Sequence, residues 1–99
     1  MSETEKTNEL TETVVEAIRE KRGHKIVKMD LRALNNAVCD IFILCNAESD
    51  RQSQAIADHV AEKVNNEHTQ KAFNVQGMQT GNWVILDYID VVVHIFQRS

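Results

Sequence analysis

The sequence predicts a small α+β domain: a mixed five-stranded sheet with helices mainly on one face. Three observations lead there. The chain has 99 residues, enough for one domain near the small end of what buries a core alone. Its apolar residues switch between a helical period and strand-like runs along the chain. The resulting order, helix, strand, strand, helix, strand, strand, strand, segregates helices from strands in the α+β manner.

Each element has its own reason. Residues 1–8 are polar and read as a frayed lead-in to a single domain over 9–99. Leu10, Val14, Ala17 and Ile18 recur at helical spacing and Gly23 follows, so a first helix ends near Arg22. Lys25–Met29 is a short strand. Asp30–Val38, with Leu31, Leu34 and the pair Asn35-Asn36, reads as a short helix or turn. Ile41–Cys45 is a continuous apolar run and predicts a buried strand. Ser49 with Gln52 forms a capping box, and Ile56, His59, Val60, Lys63 and Val64 trace one face of a second helix. Phe73 and Val75 alternate with polar neighbours in Lys71–Gln76, a third strand, reached from Ile41 by a right-handed crossover. Trp83–Asp87 and Asp90–Phe96 close a hairpin around Tyr88-Ile89. Tight hairpins favour Gly or Asn where φ turns positive, and a β-branched Ile89 is costly there, so a wider or bulged turn is expected.

Charge narrows the function. Eleven Lys and Arg stand against fifteen Asp and Glu, a formal net charge of −4, and no basic run interleaves with aromatics. That excludes a general nucleic-acid coat, and no sequence-specific nucleic-acid binding is expected. The N-terminal MSETEKTNEL lacks the apolar stretch of a signal peptide, and the longest apolar run, VVVHIF, is far too short to cross a bilayer. Cytoplasmic location and no membrane partner are the expectation.

Two segments carry most of the information. Cys39–Val64 reads CDIFILCNAESDRQSQAIADHVAEKV, and Gly81–Phe96 reads GNWVILDYIDVVVHIF. The skeleton V-C-D-x-F-x-x-C, then S-D-R-Q with I-A-D-H-V, then G-x-W-V-x-x-D-Y-x-D-V-V-V-H-x-F, resembles the ribosomal silencing factor (Iojap) family over roughly two fifths of the chain. The resemblance implies a fold related to the nucleotidyltransferases and a binding factor, not an enzyme. It implies binding to the large ribosomal subunit through ribosomal protein fourteen, on the face that meets the small subunit, which would block subunit joining and repress translation. A large-subunit assembly role through the same contact, or a degenerate nucleotide-binding domain, are the alternatives. The family usually has Gly at the position of Ile89. It also usually continues past the last strand with a helix of pattern R-x-x-Y-x-L-E-x-L-W, where this sequence ends at Gln97-Arg98-Ser99.

The residues themselves offer little chemistry. Cys39 and Cys45 flank one strand about 20 Å apart when extended, too far for a shared zinc or a disulfide, so both are read as buried thiols. His59 faces Ile56 and Val60 beside Asp58, and His94 interrupts an apolar strand; both read as hydrogen-bonded structural histidines before ligands or bases. Two-metal nucleotide transfer needs carboxylates two apart on one strand face and a Gly-Ser or Gly-Gly turn. Asp87 and Asp90 are three apart across a turn, Asp40 has no partner two residues on, and neither dipeptide occurs. No catalytic residue, metal or cofactor is therefore expected.

The remaining candidates are partner-binding: Trp83, Asp87, Tyr88 and Asp90. On its strand Trp83 shares a side with Ile85 and Asp87, opposite Val84 and Leu86. If the Val84 side faces the helices, Trp83 stands on the open face as an interface anchor, with the acidic pair ready for a basic protein. Otherwise it caps the sheet's own core. Two helices cover little more than one face of five strands, so a weak homodimer over the same apolar surface is also expected.

Overall fold

A computed structural model describes residues 2–34, 36–37 and 39–97; expectations that touch Met1, Asn35, Val38, Arg98 and Ser99 lie outside the described residues. The elements run α1 (Glu3–Glu20), β1 (His24–Asp30), β2 (Ile41–Ala47), α2 (Asp50–His68), β3 (Asn74–Gln76), β4 (Trp83–Asp87) and β5 (Val91–Gln97). The five strands form one mixed sheet in the order β1-β2-β5-β4-β3, with β2 and β5 parallel at its centre and the other pairs antiparallel. The α+β class and the element order expected from the sequence are those observed. The connection from β2 through α2 lands on the far edge, with β5 and β4 inserted between β2 and β3.

Helix α1 starts earlier than its polar sequence suggests. Ser2 is its N-cap and accepts from the Glu5 N–H at 3.2 Å, and Thr7, on the expected lead-in, is buried. The cap satisfies one of the free N–H groups of the first turn and the buried Thr7 anchors the segment, so residues 2–8 belong to the folded domain. After β1 the described residues 31–34 and 36–37 form turns and no helix. Asp30 organises it by accepting from the Arg32 N–H at 3.0 Å and from the Arg32 guanidinium at 2.6 Å, and Arg32 reaches Asn8 of α1 at 3.0 Å. These charge-assisted bonds hold the Asp30 carboxyl at about 2.

Helix α2 is fixed at its start by a variant of the capping box. The Ser49 hydroxyl accepts from the Gln52 N–H at 3.1 Å, as expected, but the Gln52 side chain accepts from the N–H of Glu48, at 2.6 Å. Its amide also donates to the carbonyls of Lys21 and Arg22, at 3.3 and 3.1 Å. One glutamine thus satisfies free groups at the start of α2 and at the end of α1.

Both helices lie on one face of the sheet. Ile41, Ile43, Cys45 and Ala47 of β2, Val91, Val93 and Ile95 of β5, and Val84 and Leu86 of β4 join Val14, Ile18, Ile56, Val60 and Val64 in a single core. The alternate residues of β2 and β5 are only half-buried, because no helix covers them. Across the helix pair, Glu20 accepts from Lys63 at 3.2 Å with both oxygens and bonds to the His59 Nε2 at 2.7 Å. His59 is therefore a helix-pairing residue, as its place beside Ile56 suggested, and these bonds lower the Glu20 pKa.

The β4–β5 turn is tighter than expected. Ile89 takes the left-handed conformation, φ 74°, and the Asp90 N–H donates to the Tyr88 carbonyl at 2.9 Å, a three-residue γ-turn. The conformation is held from both sides. The Ile89 N–H donates to the Asp87 carboxylate at 2.7 Å, and the Asp90 carbonyl accepts from the N–H groups of Asp40 and Ile41 at the start of β2. A β-branched residue here stores strain of about 1–3 kcal/mol. Because Ile89 is 58% exposed, its side chain buries little to offset this. Replacing Ile89 by Gly should therefore raise stability by about 1 kcal/mol after glycine's greater entropy loss, read as a rise of several degrees in Tm. A lower Tm for Ile89→Gly would mean that the isoleucine side chain contributes packing that its exposure does not suggest.

Candidate functional site: an open aromatic sheet face

Strand β4 alternates exposed, buried, half-buried, buried, half-buried from Trp83 to Asp87. Val84 and Leu86 point into the core, which puts Trp83, Ile85 and Asp87 on the face opposite the helices. Trp83 is 51% exposed, so of the two placements open to it in the sequence, the open face is the one observed. Register sets its neighbours: Trp83 pairs with Phe96 and Ile85 with His94 of β5, and His94 in turn pairs with Leu44 of β2.

The result is a continuous ring cluster. Trp83 meets Phe96 with centroids 4.4 Å apart, and His94 meets Phe42 at 4.3 Å. The Trp83 indole N–H donates to Nδ1 of His94 at 2.9 Å. Since indole is only a donor, this bond requires Nδ1 to be the unprotonated nitrogen, and the neutral ring carries its proton on Nε2. Burial lowers the His94 pKa in the same direction, by disfavouring the charged ring. Val27 and Met29, opposite Leu44 and Phe42 on β1, continue the apolar face to the sheet edge and are both exposed.

Trp83 is delivered to this face by a tight lead-in. Gly77 and Gly81 both have positive φ, 83° and 75°, and the Gly81 N–H donates to the Gly77 carbonyl at 2.9 Å. A side chain at Gly77 would collide with the Trp83 carbonyl, and one at Gly81 would press on the Asp50 backbone at 2.6 Å. Gln54 of α2 clamps the same loop by donating to the Met78 carbonyl at 2.7 Å. Both glycines are thus needed where the chain passes close to β4 and α2.

The four residues singled out in the sequence do not all share this surface. Trp83 and Asp87 lie on the open face, and Asp90 sits exposed past the turn. Tyr88 does not: it is 2% exposed and belongs to the core. Tyr88 has the parity of Val84 and Leu86, so the alternation of β4 carried one residue further turns it to the helix side, and burial raises its pKa to about 12. Phe42, His94 and Phe96 complete the cluster. The signal for Phe42 and Phe96 was weak: each shares its strand parity with a single polar residue, Asn46 in β2 and His94 in β5, in otherwise apolar runs. The cysteines are buried free thiols, with Cys45 pushed up to about 12 by its surroundings. Among the described residues, no three His, Cys, Asp or Glu side chains converge as metal ligands would, and no helix is long and apolar enough to cross a membrane.

Fold and surface together define a one-domain α+β protein whose distinctive feature is a bare aromatic sheet face. The chain belongs to the family described as ribosomal silencing factor during starvation, whose model matches residues 4–99. It is 32% identical to the ribosomal silencing factor RsfS of Halalkalibacterium halodurans over 91 residues, covering 92% of this chain and 76% of that one. It is 33% identical to the protein of the same name from Bacillus subtilis, covering 84% of this chain and 69% of the relative. Among crystal structures it is similar to a Chromobacterium violaceum protein, with TM-score 0.84 and 28% identity over 91% of this chain and 73% of the other. A Bacillus halodurans protein superimposes with TM-score 0.80 and 31% identity over 91% and 82% of the two chains.

The burial of Tyr88 has a measurable consequence. Its hydroxyl is buried with no hydrogen-bond partner among the described residues. An unsatisfied buried hydroxyl costs free energy that removal of the group recovers. Tyr88→Phe is expected to leave stability unchanged or raise it by up to about 1 kcal/mol in chemical denaturation. A loss of about 2 kcal/mol would instead reveal a bonded hydroxyl.

Proposed function

We propose that the protein is a cytoplasmic translation repressor that binds the large ribosomal subunit through ribosomal protein fourteen and blocks joining of the small subunit. Family membership supports ribosome silencing as the role. The observation that carries the docking surface is Trp83, half-exposed at one end of a ring cluster with Phe96 and His94 on the one sheet face that no helix covers. A large, conformationally restricted aromatic in such a setting is the type of residue that anchors interfaces. Asp87 and Asp90 at the hairpin end of the face, on a chain of net charge −4, favour a basic protein partner over bare phosphate. Tyr88 serves this surface from beneath, by packing the turn that carries both aspartates. Without ribosomes the same apolar face supports a weak homodimer, so self-association and docking compete for it.

Trp83→Ala should weaken binding to purified large subunits by about 2 kcal/mol or more. Its Tm should stay close to that of the unaltered chain, because the side chain lies outside the helix-side core. Co-sedimentation and thermal melting of one preparation decide the matter: a large fall in Tm with unchanged binding by the folded fraction would assign Trp83 to stability rather than docking.

The reading as a binding factor also makes a chemical statement. Asp87 spends one carboxylate oxygen on the Ile89 N–H at 2.7 Å, and it is separated from Asp90 by the turn. That pair is arranged to shape backbone, not to hold two metals on one strand face. Incubation with magnesium or manganese and labelled nucleoside triphosphates should give no transfer; incorporation that vanishes in Asp87→Asn would establish an enzyme.

A further inference from the structure

We propose that His94 makes docking on the open face sensitive to protons: the neutral ring completes the aromatic patch, and the protonated ring closes the patch to its partner. The inference rests on the reading of this face as the docking surface and concerns how that surface is regulated.

Among the described residues, one side-chain hydrogen bond lies inside the patch. Trp83 Nε1–H can only donate, and the Nδ1 of His94 accepts from it at 2.9 Å. An imidazolium has N–H at both nitrogens, so one proton turns this acceptor into a second donor facing the indole N–H. The bond that orients the half-exposed Trp83 is then lost. The same proton places a full charge on a ring stacked 4.3 Å from Phe42 and 5.8 Å from Trp83. A partner that covers the patch would have to strip water from that charge, which costs far more than covering a neutral ring.

The surrounding rings offer the charge only a weak cation–π attraction, and no carboxylate is its register partner. On the open face β2 presents Phe42, Leu44 and Asn46, all uncharged, and the neighbours of His94 on its own strand are Val92 and Phe96. From β4 the register partner is Ile85, and the charged side chain on that face is Asp87, opposite Val92. One oxygen of Asp87 is already engaged by the Ile89 N–H. Burial of His94 favours its neutral form in the free protein, and a docked partner would bury it further. The sign follows from linkage. If docking lowers the His94 pKa, the free protein binds more protons than the complex. Affinity is then full above the free-state pKa and falls as pH drops through it, by about tenfold per pH unit once well below.

Two measurements test this. In the free protein, the ¹⁵N–¹H resonance of the Trp83 indole should shift with a midpoint shared by the His94 ring protons; an indole resonance that ignores the His94 titration would overturn the proposal. For docking, binding to purified large subunits is compared at about pH 7.5 and at about one pH unit below that midpoint. His94→Asn, which keeps a side-chain oxygen close to the Nδ1 position but does not titrate, and Trp83→Ala are measured beside the unaltered chain. The expected result is a fall of about tenfold in the unaltered chain and a much smaller one in His94→Asn. Equal falls in both, with Trp83→Ala impaired at the higher pH, would remove the switch and leave the docking face standing. Unimpaired binding by Trp83→Ala would remove the docking face and the switch with it.

Discussion

The structure depends on one-sided burial of the parallel pair β2 and β5. Successive strand side chains point to opposite faces, so a sheet covered by both helices on one side has a filled core there and a bare surface on the other. Ile43, Val93 and Ile95 lose all solvent contact, while the residues between them, Phe42, Leu44, His94 and Phe96, are only partly covered. Everything distinctive about the molecule follows from this division. The covered face supplies most of the apolar burial, and the open face keeps Phe42, Leu44, Trp83, Ile85 and Phe96 partly exposed beside Asn46, His94 and Asp87.

The two ends of the sheet are finished differently, and the difference serves the open face. At the Trp83 end, the Gly77–Gly81 loop is pinned to α2 by Gln54 and by close backbone approach to Asp50, so the indole enters from a constrained position. At the other end, the Asp87 carboxylate and the start of β2 hold Ile89 in a conformation it disfavours. Strain of this kind persists only where its surroundings over-determine it. Just before the turn, Tyr88 follows Val84 and Leu86 into the core, and Asp90 just after it is exposed, which separates a packing residue from its acidic neighbours. The cluster of Glu20 with His59 and Lys63, by contrast, joins the helices and has no part in the open face.

His94 shows why a polar residue can stand in an apolar strand. Its neutral ring stacks like an aromatic residue while its nitrogen satisfies the Trp83 donor, so the patch carries an apolar surface without leaving that indole N–H unpaired. The sequence expectation of a hydrogen-bonded structural histidine was right about the bonding. Its partner is a tryptophan eleven positions up the chain, brought beside it by the hairpin register.

Much of the fold was legible locally. Helical spacing of Leu10, Val14 and Ile18, the Ser49 cap and the apolar runs of β2 and β5 each declare an element through backbone and side-chain preferences that need no distant partner. The alternation of β4 likewise put Trp83 opposite Val84 and Leu86. Three things were less legible. Which parity of β2 and β5 faces solvent is signalled locally only by Asn46 and His94, one polar residue on the open parity of each otherwise apolar run, and the placement of α1 and α2 on one side decides it. The start of α1 at Glu3 depends on the burial of Thr7, a tertiary contact that polar composition conceals. The Ile89 turn contradicts local preference because bonds from Asp87, Asp40 and Ile41 outweigh it. The sequence by itself determined the elements and the side of β4 that Trp83 shares with Ile85 and Asp87, since these rest on short-range periodicity. Only the tertiary structure decided which rings surround Trp83, since that depends on sheet register between residues far apart in the chain, whereas the withdrawal of Tyr88 follows its parity with Val84 and Leu86.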